Sequence, residues 1–258
     1  MSESVSGQIA AHALQSVGAP PGPIYRITRL DTDPFEPAPW EYCGSNRFDD
    51  PQQEFRVIYC ASERSAAFGE TLARYRRSLS LLALLQEVDD DEESLEDALR
   101  GLLDPSDERC GVVPADWRFK RQIGTTVLDS TLRFAAISEP ESVAYLRTVL
   151  APAATMLSLA DVDLGTIFSS NRGITQQCAR HIYELHNEHG TPLFAGICYP
   201  SRINQYWTCW AIFHDRMSHT PGIAETTIDP HDPGFLDAAR LLDLSIEAVR
   251  GQGTFIRP

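Results

Sequence analysis

Apolar residues run almost unbroken through FRVIYCA at 55–61, which predicts a strand buried on both faces. From Ser62, a suitable N-cap, the spacing changes. Phe68, Leu72, Tyr75 and Leu79 recur at helical intervals and predict one amphipathic helix. Glu70 lies two residues, or roughly 200° of rotation, from Phe68 and so falls off that stripe, beside Ala66, Ala67 and Arg74. IYRITRL at 24–30 has the composition of an earlier strand. Between the two strands, residues 31–53 hold four prolines and strong turn signals, and read as a long loop of the kind that often carries function.

Farther on, VVPADWRFKRQIGTTVL is of mixed character, and ESVAYLRTVLAPAATML predicts a helix to Leu150 that Pro152 disturbs. Ile174, Cys178, Ile182 and Leu185 form a second stripe, with Gly190 as the expected stop. LFAGICYPSRINQYWTCWAIFHD reads as two strands joined around Pro200, Ser201 and Asn204. FLDAARLLDLSI is a short amphipathic helix. Residues 1–22 are small and polar and close on Ala-Pro-Pro-Gly-Pro, the pattern of a loosely held leader. Residues 86–110 carry eleven acids against two arginines and read as a solvated insertion.

Composition narrows the function classes. With 258 residues and 43% apolar content, the chain can bury a sizeable core. The six cysteines show neither a CxxC pair nor a dense framework, which fits reduced thiols in a cytoplasmic protein. The N-terminus lacks a basic region followed by an apolar one, and the longest apolar run, Leu81 to Leu85, is too short for a bilayer, so no membrane partner is expected. A formal net charge of -14 repels polyanions, and no basic cluster stands out along the chain. Direct nucleic-acid binding is therefore not expected. His181, His186 and His189 are spaced by five and three, unlike paired helical metal ligands, so no metal is expected.

Locally, the candidate residues have plain readings. Glu70 and Arg74 are four apart and can form an ordinary helix pair. Arg47 can pair with Asp49 or Asp50 in the loop, Tyr59 can be core, and Ser201 can be a turn residue. Their order says more. GSNRF at 44–48, RVIYCA at 56–61, AAFGE at 66–70, GICYPSR at 196–202 and CWAIF at 209–213 together resemble the RES domain family, known mostly as the toxin half of bacterial toxin–antitoxin pairs. Twelve residues separate Arg47 from Tyr59 and eleven separate Tyr59 from Glu70, and the resemblance covers most of residues 24–214. The leader, the acidic insertion and the C-terminal tail depart from it.

The resemblance implies an α+β fold, an ADP-ribosyltransferase-like split mixed β-sheet flanked by helices, with residues 23–258 as a single catalytic domain. It implies NAD as substrate, bound in a cleft and cut at the nicotinamide N-glycosidic bond. The ADP-ribosyl group would pass to water or to inorganic phosphate as co-substrate. Such a cleavage passes through an oxocarbenium-like state that a fixed carboxylate stabilises, which suits Glu70. Arg47 suits the pyrophosphate, Tyr59 offers a face to the cationic nicotinamide ring, and Ser201 can bond a phosphate or ribose oxygen or orient Glu70. Arg26 and Arg202 are further candidate phosphate contacts. No G-x-S-x-G elbow makes Ser201 a nucleophile. Growth arrest and a helix-turn-helix (Xre-like) antitoxin are the implied biology, with homo-oligomerisation left open. Transfer to a macromolecule, and a non-catalytic NAD-binding or antitoxin-binding module, are the alternatives.

Overall fold

The computed structural model describes residues 14–87, 110–249 and 255–258. Residues 1–13 of the expected leader and nearly all of the acidic stretch at 86–110 lie outside the described residues. Strand β1 (Ser16–Gly18) belongs to the segment read as leader, yet it pairs antiparallel with β6 (Arg133–Ala136), and Leu14 is buried. Its backbone donors and acceptors find sheet partners, which the polar composition did not foretell.

In chain order there follow β2 (Ile24–Arg29), β3 (Val57–Ala61), α1 (Arg64–Leu72), α2 (Leu79–Glu87), β4 (Val112–Val113), α3 (Ala115–Phe119) and β5 (Arg121–Thr126). After β6 come α4 (Pro140–Val149), α5 (Ala151–Met156), α6 (Leu164–Ile167), α7 (Arg172–Glu184), β7 (Gly196–Pro200), β8 (Thr208–Phe213), β9 (Ile223–Glu225), α8 (Pro233–Leu241), β10 (Ser245–Glu247) and β11 (Phe255–Ile256). The main sheet runs β1-β6-β7-β8-β3-β2-β5-β9. β6 and β7 are parallel, whereas β7–β8, β8–β3 and β3–β2 are antiparallel. The fold is thus α+β with a mixed sheet flanked by helices.

By internal packing the chain forms two compact units, each built from separated stretches. Among the described residues, the first comprises 14–26, 32–63 and 124–224, and the second 27–31, 64–87, 110–123, 225–249 and 255–258.

In the first unit the two faces of β3 enter different cores. Val57 and Tyr59 face the cluster that contains Ile197, Tyr199, Ala211, Phe213 and the α7 stripe of Ile174, Cys178 and Ile182. Ile58 and Cys60 face Ile24, Phe134, Trp210 and Ile212. Double-sided burial is why FRVIYCA reads as an unbroken apolar run. Register puts Tyr59 opposite Ala211, which is itself opposite Ile197. Gly196 permits the close approach of β7 to β8, since a Cβ there would stand 2.3 Å from the Ala211 carbonyl oxygen.

Helix α7 ends at its C-cap Leu185 rather than at Gly190. Gly190 instead sits at φ 74° in a tight turn closed by its own N–H to the Asn187 carbonyl. On α7, His181 Nε2 lies 2.8 Å from the Tyr145 hydroxyl, and burial holds its pKa below the ordinary 6.5. The unfolded chain therefore binds this proton more readily. The residue's contribution to stability is complete above about pH 6.5 and is lost as pH falls from there toward the lowered folded value. Melting temperatures measured between about pH 7.5 and 5 should fall more steeply for wild type than for His181→Gln. Parallel curves would contradict this assignment.

In the second unit α1 packs against α8. Phe68 and Phe235 are fully buried with ring centroids 5.3 Å apart, and Trp117 stacks on Phe235 at 5.7 Å. Asp232 caps α8 by accepting the Phe235 N–H at 3.1 Å, and it also accepts from Arg64 at 2.6 Å. Burial works against the charge of Arg64, but bonds to Glu225 and Asp232 outweigh it and raise its pKa. A small sheet, β11-β10-β4, completes the unit.

One long helix through Leu79 is not formed. α1 stops at Leu72, a short 3-10 turn follows at Ala73–Tyr75, and Arg76 is extended at ψ 138°. Ser78 then caps a new helix by accepting the Leu81 N–H at 3.2 Å. This resets the helical phase. Phe68, Leu72 and Tyr75 are buried as expected, but Leu79 is 83% exposed.

Candidate active site

The first unit builds its most constrained polar region around residues 44–50. Gly44, at φ 89°, opens the turn in a conformation that disfavours other residues. The Asp49 carboxylate closes it. Its Oδ2 accepts from the Gly44 N–H at 3.1 Å, the Asn46 N–H at 2.9 Å and the Asn46 amide at 3.0 Å. Its Oδ1 accepts the Tyr59 hydroxyl at 2.8 Å, and that hydroxyl in turn accepts the Phe48 N–H at 3.0 Å. Asp50 turns to the backbone N–H groups of Gln52 and Glu54 and to both sides of an ion pair with Arg180, at 3.2 Å. The acids beside Arg47 are thus committed to shaping the loop.

Helix α7 supports the same loop from beneath. The Gln176 amide donates to the Gly44 carbonyl at 2.9 Å and to the Asn46 carbonyl at 3.0 Å. Gln176 and Arg180 are four apart, one turn of a single face. Neither stands out in the sequence as functional.

Arg47 projects from this loop into an aromatic setting. Its guanidinium carbon lies 5.0 Å from the Phe48 ring centroid, 5.5 Å from Phe168 and 5.4 Å from Tyr199. Nη2 donates to the Ile167 carbonyl at 3.0 Å. Three rings and one carbonyl fix the cation's orientation. Burial pushes the nearby Cys178 thiol up to about 12 despite the positive charge of Arg47, so this cysteine stays protonated.

Tyr59 is half-buried, and its hydroxyl is occupied by the loop. Burial and the Asp49 charge keep it protonated, with a pKa well above the usual tyrosine value. Tyr59→Phe removes the acceptor for the Phe48 N–H and a donor to buried Asp49. The expected loss is about 1–2 kcal/mol of stability by urea unfolding, and an unchanged midpoint would contradict the lock described here.

Ser201 is buried at the end of β7. Its N–H donates to the Trp207 carbonyl at 2.8 Å, and its Oγ accepts the Ile203 and Asn204 N–H groups at 3.0 and 3.4 Å. The hydroxyl closes the β7–β8 turn, two residues after Tyr199 of the Arg47 surround. Arg202 is exposed on the same turn. Arg26 does structural work. Nη1 donates to the Pro34 and Glu36 carbonyls at 2.7 and 3.0 Å, clamping the proline-rich loop, and burial lowers its pKa.

Glu70 belongs to the second unit. It is exposed on α1, whereas Ala66, Ala67, Phe68, Gly69 and Leu72 are buried. The two alanines are spent on packing rather than on making room beside the carboxylate. Arg47 and Tyr59 are therefore linked directly through Phe48 and Asp49, Ser201 is tied to them through its strand, and Glu70 stands on its own element.

A profile of the RES domain matches residues 23–231, and the chain belongs to the RES domain family. No curated protein matches the chain. A solved structure with some likeness is that of the M. tuberculosis MbcT-MbcA toxin-antitoxin complex. It has 12% identity and a TM-score of 0.42, and the match covers 85% of this chain and 91% of that chain. That likeness is too distant to assign function.

Proposed function

We propose that the protein consumes NAD, cleaving the bond between nicotinamide and ribose and passing ADP-ribose to water or inorganic phosphate. The observation that carries this reading is the caged Arg47 guanidinium, a planar cation oriented by three rings and held on a loop locked by Asp49 and Tyr59. A pre-oriented guanidinium is well matched to a pyrophosphate, which takes two parallel N–H bonds. Membership of the RES domain family supports the same substrate.

In this reading the glycosidic C–N bond breaks and its electron pair leaves on neutral nicotinamide. The carboxylate of Glu70 stabilises the positive charge that grows on the ribose. An oxygen of water or phosphate then bonds to the anomeric carbon, and where the acceptor is water the proton it loses passes to the solvent. Tyr59, half-buried, offers its ring to the cationic nicotinamide. Ser201 keeps the β7–β8 turn in shape, and Arg202 is the further phosphate contact. Growth arrest and a helix-turn-helix antitoxin partner belong to this proposal, and the family resemblance supports them.

Chromatography of NAD incubated with the purified protein, with and without inorganic phosphate, tests it. Free ADP-ribose in both tubes identifies water as acceptor, and a phosphorylated ADP-ribose only in the second identifies phosphate. Intact NAD in both, with folded protein, would overturn the reading. A covalent ADP-ribose mass on an added macromolecule would move the activity to macromolecular transfer.

A further inference from the structure

Asn46, the residue before Arg47, is held at both of its main-chain polar groups. Its N–H donates to Asp49 Oδ2 at 2.9 Å, and its carbonyl accepts the Gln176 amide at 3.0 Å. That carbonyl belongs to the planar peptide unit that joins Asn46 to Arg47, so fixing its direction fixes the plane from which residue 47 leaves. The same amide donates to the Gly44 carbonyl at 2.9 Å, across the turn. Both N–H bonds of the Gln176 amide are thus spent on this loop, and the residue is only 7% exposed.

The far end of Arg47 is tied to the same stretch of chain. Nη2 donates to the carbonyl of Ile167, the last residue of α6, and the guanidinium carbon lies 5.5 Å from the ring centroid of Phe168, the next residue. α7 begins shortly afterwards at Arg172, and Gln176 lies in its second turn. Ile174 and Cys178, buried on either side of Gln176, anchor that part of the helix in the core. One anchored segment therefore holds both the root of Arg47 and its guanidinium.

We infer that Gln176 is a positioning residue, which acts through the Asn46–Arg47 peptide to aim the guanidinium at a pyrophosphate. The inference rests on the reading of Arg47 as the pyrophosphate contact. Two parallel N–H bonds to phosphate oxygens tolerate little rotation of the planar fork, so a guanidinium whose root swings keeps its charge and loses its fit. A pair of donors that served packing alone would affect stability and leave that fit unchanged.

Calorimetric titration of the purified chain with inorganic pyrophosphate tests it in a double-mutant cycle. Gln176→Met keeps the volume and removes the donors. Gln176→Ala, which leaves room for a water to serve the two carbonyls, takes its place if circular dichroism melting shows that the first variant does not fold. Wild type should bind pyrophosphate, and the Gln176 variant should bind it about tenfold more weakly. The same change on an Arg47→Ala background should cost nothing further. With NAD, KM should rise by about the same factor while kcat stays within about twofold. No binding by wild type, an unchanged affinity in a folded Gln176 variant, or an equal loss that persists without Arg47 would each overturn the inference. Intact NAD alongside the expected pyrophosphate pattern would support the inference and overturn NAD cleavage instead.

Discussion

Replacing Glu70 by glutamine is expected to lower nicotinamide release from NAD by about a hundredfold or more, with the melting temperature unchanged. The two expectations come from different facts. Glu70 is exposed on α1, while the buried side of that helix is made by Ala66, Ala67, Phe68 and Leu72. An isosteric change on the exposed side leaves that packing intact, and surface substitutions of this kind usually move stability by less than about 0.5 kcal/mol. The chemistry is sensitive for another reason. Nicotinamide leaves as a neutral group, so the positive charge that remains on the ribose has to be met by a fixed negative one. Glutamine keeps the shape and removes the charge. A turnover rate close to wild type would return Glu70 to an ordinary helix-surface role.

Arg47→Ala should lower kcat/KM by about a hundredfold, mainly through a higher KM, because each charge-assisted bond to a phosphate contributes about 1.5–3 kcal/mol. Unlike the Glu70 change, this one should also cost stability. The side chain contacts Phe48, Phe168 and Tyr199 and bonds the Ile167 carbonyl, so its removal takes a cation from those rings and a donor from that carbonyl. Arg47→Lys should fall between, restoring charge without the planar fork. Steady-state kinetics on all three proteins separates the effects. An unchanged KM in Arg47→Ala, with soluble folded protein, would remove the guanidinium from substrate binding.

Much of the sheet was legible because burial on both faces leaves a plain mark. The apolar runs at 55–61 and around 196–213 became the adjacent strands β3, β8 and β7. The α7 stripe was equally visible, since Ile174, Cys178 and Ile182 are all buried. Boundaries failed where a local hydrogen bond overrode periodicity. Ser78 restarted a helix that the apolar spacing carried on to Leu79, and α7 stopped at Leu185 before the glycine expected to end it.

Motif order singles out Arg47, Tyr59, Glu70 and Ser201 as candidates, but it carries no information about the residues that hold them in place. Asp49 looked like a salt-bridge partner for Arg47. Instead it holds the turn and Tyr59, a function set by a contact ten residues away across a loop and strand. Gln176 and Arg180 lie more than a hundred residues from the loop they brace. Such long-range pairings leave no local pattern.

The central claim is that this RES-family protein destroys NAD, and the most direct test is the release of nicotinamide by purified wild-type protein, followed over time against loss of NAD. The account predicts one nicotinamide released for each NAD lost, over many turnovers per protein, and release about a hundredfold or more slower in Glu70→Gln. NAD left intact by folded wild-type protein, or release that Glu70→Gln sustains at the wild-type rate, would contradict it.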